Sequence, residues 1–395
     1  MIISNRSRIE SIDLLRGLVM VIMALDHSRM YFGMGSWFAD PTNLSTTTPL
    51  LFFTRWITHF CAPVFVFLAG TSAFLYGSRN KTTKEVSWYL LTRGVWLLFV
   101  EWVIVNFGWT FDVTFSLHFL QVIWAMGMSM LFLSALVWLP NQFILVIGII
   151  MVASHNLLDF ISMEGTSAAH LTWYALHQEK VIVLGSHSII ALHYPLIPWP
   201  GLMALGYIFG TFYQEEFDAA RRKKWLVCMG IGAVFLFVLL RAFNLYGDPH
   251  DWSPQHYFIY SIMSFLNTTK YPPSLLYILM TIGPSLIFLR LTENTRNKGV
   301  SFFLTFGRVP FFFYVIHIYV IHLLAMVGII YAGRSWSDYI LTGKSFMAKS
   351  LSNFGFDLYV VYLIWVLVVA LLFPWCRWYN EYRAANREKW WLKYL

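Results

Sequence analysis

Apolar runs of about 20 residues recur along the whole chain, each long enough to cross a bilayer once as an α-helix. Inside hydrocarbon every backbone N–H and C=O must be satisfied within the segment, so such a chain is confined to a bundle of membrane helices. Composition agrees: 58% of the 395 residues are hydrophobic, 19% aromatic and 12% charged, with a mean hydropathy of +0.60. These values exclude an ordinary soluble domain. Hydropathy places about ten spans, near 12–32, 50–77, 87–110, 117–139, 142–158, 197–213, 225–243, 273–291, 302–332 and 356–376. No Pro/Ser/Gly-rich linker, repeat of fixed period or low-complexity tract divides them. The expected architecture is an all-α polytopic integral membrane bundle, a single domain over 1–395.

The formal net charge of +8 belongs to short connections between spans, not to a nucleic-acid-binding face. With every even-numbered connection in the cytoplasm, Arg6, Arg8, Arg79, Lys81, Lys84, Arg221, Arg222, Lys223, Lys224, Arg290, Arg296, Lys298 and the tail from Arg377 to Lys393 fall inside. Lys180, Lys270, Arg334, Lys344 and Lys349 fall outside, with Arg29 at the rim. This asymmetry predicts both termini in the cytoplasm: residues 1–11 as an N-terminal segment, and 377–395 as a Trp/Tyr/Lys/Arg-rich tail anchored on the inner interface. The first run lacks a small-residue cleavage site and reads as an uncleaved span. Cys61, Cys228 and Cys376 lie far apart in or beside apolar runs, with neither disulfide nor metal spacing. The expected setting is the plasma (inner) membrane, as a multi-pass monomer or homodimer.

Ionisable residues inside spans are costly and usually mark function. The first span, IDLLRGLVMVIMALDHSRMYF, carries Asp13, Arg16, Asp26, His27 and Arg29. Arg16 and His27 share a helix face about three turns, ~16 Å, apart. In the second span Arg55 and His59 stand at i, i+4, at the depth of Asp26 and His27. These groups could form a structural ion-pair cluster or a site; His27, on one stripe with Arg16, is read as functional. Arg93 and Glu101 of the third span read as structural. His118 and Gln121, at an outer helix entrance, and Tyr314 and His317, at i, i+3 in the ninth span, are either substrate-binding residues or ordinary interhelical polar contacts. His155, His170, His177, His187, His193, His250 and His256 fall in or near outer connections. Their irregular spacing reads as polar loop residues, so no metal is expected.

Arg-x10-His on a first membrane helix resembles the signature of the acyltransferase-3 superfamily. More of the chain is similar to the heparan-alpha-glucosaminide N-acetyltransferase catalytic-domain family. RIESIDLLRGLVMVIMALDHSR resembles its N-terminal signature, and FFTRWITHFCAPVFVFLAGTSAFL its second helix. HYPLIPWPGLMALGYIFG and FGRVPFFFYVIH resemble later blocks. The resemblance implies a transmembrane acyltransferase that moves an acyl group, such as acetyl, from cytoplasmic acyl-CoA to an acceptor across the membrane, commonly a sugar or glycan. There is one departure: the first outer loop, Gly33 to Pro49, contains no histidine, which leaves the catalytic role to His27 or His59.

Acyl transfer from a thioester needs a base and donors for the developing oxyanion. His27 and His59 suit the first role, with Asp26 and Arg55 beside them. Arg16, Arg79, Lys81 and Arg308, with other loop cations, would meet the phosphates of acetyl-CoA or another acyl-CoA, though cationic loops also simply set topology. A proton-coupled secondary transporter is the rival reading, against which stands the lack of two similar halves. A purely structural or lipid-handling protein would leave the Arg16–His27 stripe unexplained.

Overall fold

Helix Glu10–Phe32 is buried on all sides, from Ile12 and Asp13 at one end to Tyr31 and Phe32 at the other. Residues 9–185, 188–295, 297–386 and 388–393 are described by a computed structural model; Arg6, Arg8, His187 and Arg296 lie outside the described residues. Around this central helix stand Cys61–Gly77, Leu275–Thr292, Lys298–Gly307, Pro310–Tyr331 and Leu358–Ala385. Further helices, Thr83–Val100 with Val122–Leu136 and Ala219–Ala242 with Leu275–Thr292, pack in pairs outside it. Small residues set the closest approaches, as in membrane bundles generally. A Cβ on Gly17 would overlap the Phe303 carbonyl, and one on Gly206 would overlap that of Phe67.

Among the described residues, seven helices are long and apolar enough to cross a membrane: Pro49–Gly77, Thr83–Thr110, Asn141–Leu158, Ala219–Ala242, Leu275–Thr292, Pro310–Tyr331 and Leu358–Ala385. The protein is a multi-pass α-helical membrane protein. The other expected spans are helical over all or part of their length but differ in kind. Helix 10–32 carries Glu10, Asp13, Arg16, Asp26 and Arg29, while Val122–Leu136 has 15 residues and Pro198–Phe209 has 12. The expected span 302–332 is two helices, Lys298–Gly307 and Pro310–Tyr331. The break follows from Pro310 at the first helical position, where a residue without an N–H starts a new helix.

The expected helix 117–139 is also corrected at its start. Leu117–Leu120 is a strand, β1, while β2 is Lys180–Leu184 and β3 is Ser188–Leu192. β1 pairs parallel with β3, and β2 pairs antiparallel with β3, in the order β1-β3-β2. KVIVL and SIIAL are β-branched runs too short to span, so they pair with each other. With helix Ala168–Leu176 they form a cap beyond the His27 end of the bundle, around Leu120, Tyr174, Ile182 and Leu192. The all-α bundle thus carries one small sheet.

Span Pro49–Gly77 passes through a 3-10 turn at Thr58–Phe60. Pro63 has no N–H to give the carbonyl of His59 four residues earlier. That carbonyl instead accepts from the Tyr277 hydroxyl at 2.7 Å, so the irregularity is satisfied by a neighbouring helix.

Gly206→Ala should cost about 1–3 kcal/mol, the usual penalty of overpacking, because two backbones must separate. Gly232→Ala, where a Cβ meets nothing within 4 Å, should leave stability unchanged. Thermal unfolding of both variants in detergent checks the contrast, and equal melting temperatures would contradict it.

Candidate active site

Two histidines meet across the bundle. His27 Nδ1 lies 2.6 Å from His317 Nε2, the two rings edge to edge with centroids 4.8 Å apart and planes within 16° of parallel. His317 Nδ1 lies 2.9 Å from the Phe313 carbonyl of the preceding turn. A carbonyl only accepts, so His317 carries its proton on Nδ1 and presents a lone pair at Nε2. His27 must then donate from Nδ1, which leaves its Nε2 with a lone pair. Each ring thus sets the tautomer of the next. His317 is fully buried, whereas His27 is half-buried. Trp109 packs edge-on against His27 at 4.8 Å and Tyr314 at 6.5 Å. The Tyr314 hydroxyl lies near Trp109 without a well-directed hydrogen bond.

Beside the pair stands a carboxylate held by two arginines. Asp26 Oδ2 accepts from Arg55 at 2.6 Å, and Oδ1 from Arg29 at 3.0 Å. Arg55 also donates to Thr58 Oγ1 at 3.1 Å. Lys270 stands near enough to act on the charge of Asp26, as Tyr194, Tyr271 and Tyr277 do on that of Arg55. Asp26, Arg29, Arg55 and Lys270 leave a surplus of positive charge here.

Below the pair, toward Arg16, lies a cavity of about 230 Å³. Arg16, Arg93, Arg308 and Arg383 line it, and Tyr314 borders it beside His27. Its wall between them is apolar, with Met20, Phe65, Leu97 and Met126. Arg16 pairs with Asp13 at 3.2 Å and donates to the Leu68 carbonyl at 3.1 Å and to Ser72. Arg383 reaches from the last helix to the carbonyl of Arg308. Arg308 pairs with Glu10 at 3.8 Å, and its Nε is buried without a hydrogen bond among the described residues.

The remaining sequence candidates fall elsewhere. His59 is 2% exposed, packs on Tyr277 and makes no hydrogen bond to His27, Asp26 or Arg55. His59 lies within the 3-10 turn Thr58–Phe60 and stands near enough to Arg55 and Asp26 for their charges to act on it. Arg79 and Lys81 lie in an exposed turn off this cavity, and Lys81 pairs with Glu85 at 2.6 Å. His118 sits on β1 rather than a helix, 4.4 Å from the Trp102 ring, and burial pushes its imidazole below the ordinary value. The backbone N–H of Gln121 donates to Glu101 Oε1 at 2.6 Å, so Glu101 caps helix Val122–Leu136.

Arg93, Arg383, Trp109 and Lys270 were not singled out as site residues. Arg93 did have a signal, a charge within an apolar span. Arg383 looks like any other anchor in a basic tail, and Trp109 like any core aromatic.

The fold and this geometry define a multi-pass membrane protein with a histidine pair set beside Tyr314 of an arginine-lined cavity. The family model for the catalytic region of heparan-alpha-glucosaminide N-acetyltransferase matches residues 8–240. The chain belongs to that family, and it is a membrane acetyltransferase. No individually curated protein matches it. The matched region contains Arg16, His27, Arg55 and His59 but ends before Arg308, Tyr314 and His317.

Asp26→Asn should destabilise the fold by about 3–5 kcal/mol, since it strands two guanidinium groups. The double variant Asp26→Asn/Arg55→Gln should recover part of that loss. Thermal unfolding in a double-mutant cycle reads the coupling; strictly additive losses would rule out the ion pair as a stabilising contact.

Proposed function

We propose that the protein transfers an acetyl group from cytoplasmic acetyl-CoA to a hydroxyl or amine acceptor on the other side of the membrane, such as a sugar or glycan, with His27 as the base. The observation that carries this reading is that Tyr314, which lines the arginine-lined cavity, packs edge-on against His27. Four arginines lining the cavity suit the phosphates of a nucleotide thioester. The Arg308 guanidinium pairs with Glu10 at 3.8 Å, and its Nε is a buried donor without a hydrogen bond among the described residues. The apolar wall suits a pantetheine arm, and Arg16 to His27 spans about 16 Å along the helix.

In this scheme His27 Nε2 takes the proton of the acceptor hydroxyl or amine. The acceptor atom bonds to the acetyl carbonyl carbon, the C–S bond breaks, and the proton passes to the departing CoA sulfur. His317 holds the His27 tautomer through the Nδ1 bond, as a positioning residue. Arg55 and the neighbouring cations offset the negative charge that develops on the carbonyl oxygen. Arg79 and Lys81, placed off the cavity, are left with a topological role.

Acetyl-CoA should raise the melting temperature of the purified protein in a concentration-dependent way, and His27→Ala should keep that shift while losing about 100- to 10,000-fold in turnover. Arg308→Gln should instead raise KM for the donor with kcat little changed. A flat melting temperature up to millimolar donor would favour a transporter, and near-normal turnover of His27→Ala would remove it as the base.

The basic connections put Arg79, Lys84 and Arg221 to Lys224 on the cytoplasmic side. In cells, impermeant thiol reagents added outside should reach cysteines introduced at Thr46 and Ser253 and miss those at Ser78 and Ala219. The reverse pattern would overturn a cytoplasmic donor.

A further inference from the structure

At the cap end, three groups outside the proposed active site converge. Helix Asn141–Ser154 tightens into a 3-10 turn at His155–Leu158, with Asp159 next along the chain. His177 closes helix Ala168–Leu176. One ligand atom from each of His155, Asp159 and His177 lies within 4.8 Å of the other two. His177 Nε2 is 3.0 Å from Asp159 Oδ1, and the two imidazole rings are 5.6 Å apart at 67°.

The polar accounting of this cluster does not close. His155 is 1% exposed and His177 3% exposed. Among the described residues, neither ring nitrogen of His155, nor Nδ1 of His177, has a hydrogen bond of proper geometry. Buried polar groups without partners are costly, and His155 cannot turn to solvent. The surroundings are those of a ligand set with outer support. Asp159 Oδ2 accepts from Asn156 Nδ2 at 2.7 Å, and Asn156 Oδ1 accepts from the Leu275 N–H at 2.9 Å. The Pro273 carbonyl stands beside His155, ready for the N–H of whichever nitrogen does not ligate.

We propose that His155, Asp159 and His177 bind a divalent cation of the zinc class. Two imidazoles and one carboxylate match zinc and offer too few oxygens for calcium or magnesium. Tetrahedral coordination at ~2.0–2.1 Å requires ligand atoms a little over 3 Å apart. His177 and Asp159 already stand at that separation, and the unbonded His155 ring closes the remainder. Asp159, whose side chain is 18% exposed, opens the fourth position to solvent. The Nε2 proton of His177 shifts to its unbonded Nδ1 as the metal takes the Nε2 lone pair, so no proton need leave. The ion would staple the end of helix 141–158 to the segment leading into β2. The site is independent of the proposed acyl transfer.

The test uses the full-length protein in detergent, stripped with chelator, given ZnCl2, desalted and assayed for metal content. One equivalent of zinc is expected in the wild type and in His256→Gln, and none in His155→Gln or His177→Gln. Asn156→Ala should weaken binding about 10- to 100-fold, as loss of an outer-shell partner does. Cobalt in place of zinc should give the intense visible bands of a four-coordinate site, and these should vanish in the two histidine variants. If a histidine variant does not fold, Asp159→Asn replaces it and should lose the bands. Less than a stoichiometric amount of zinc in the wild type, or uptake unchanged in the ligand variants, would overturn the proposal and leave buried water as the partner of these histidines.

Discussion

A helix that carries Asp13, Arg16, Asp26 and Arg29 through the middle of a membrane protein exists only where its neighbours supply counter-charges and carbonyls. Helix 10–32 meets that condition at both ends. Arg16 is held by Asp13, the Leu68 carbonyl and Ser72. Asp26 is held by Arg29 and Arg55. Both sets of contacts run to the second span, which ties the central helix to Pro49–Gly77 at two levels. The glycine contact at Gly17 lets the Lys298–Gly307 backbone approach between those levels. The bundle therefore assembles around polar contacts as well as apolar packing, and those contacts define where a ligand can enter.

The break between Gly307 and Pro310 matters for the same reason. An unbroken helix would continue past the central helix without turning. The break instead places Arg308 at one mouth of the cavity and begins a new helix that carries Tyr314 and His317 up to His27. The tautomer of His27 then depends on the backbone: the Phe313 carbonyl holds the proton of His317, and His317 receives that of His27. His322, five residues beyond His317, faces the Gly108 and Tyr339 carbonyls instead. Two histidines on one helix thus have different chemistry because different groups oppose them.

Parts of this site were legible in the chain. Asp26 beside Arg55 follows from matched depth on the first two spans, and His27 above Arg16 follows from helical periodicity. His317 was recognised as a polar residue within a span, but its partner lies 290 positions away. No local pattern encodes such a distance. His59, four residues past Arg55, sits in the 3-10 turn before Pro63 and packs on Tyr277, and it stays near enough to Arg55 and Asp26 for their charges to act on it. The loop histidines were read as scattered polar residues, yet the cap folds His155 against His177 from two different helix ends.

By itself the sequence determined the membrane setting and most of the helices, because hydrophobic length and helical repeat are local and the bilayer imposes them. It also determined the family, through motifs that lie mostly within single helices. Tertiary structure decided which arginines share a cavity, which histidine orients which, and that two short β-branched segments with Leu117–Leu120 make a sheet rather than loops. Those outcomes depend on contacts between segments far apart in the chain. Their energies come from burial and from pairing of polar groups, which have no value until the partner is in place.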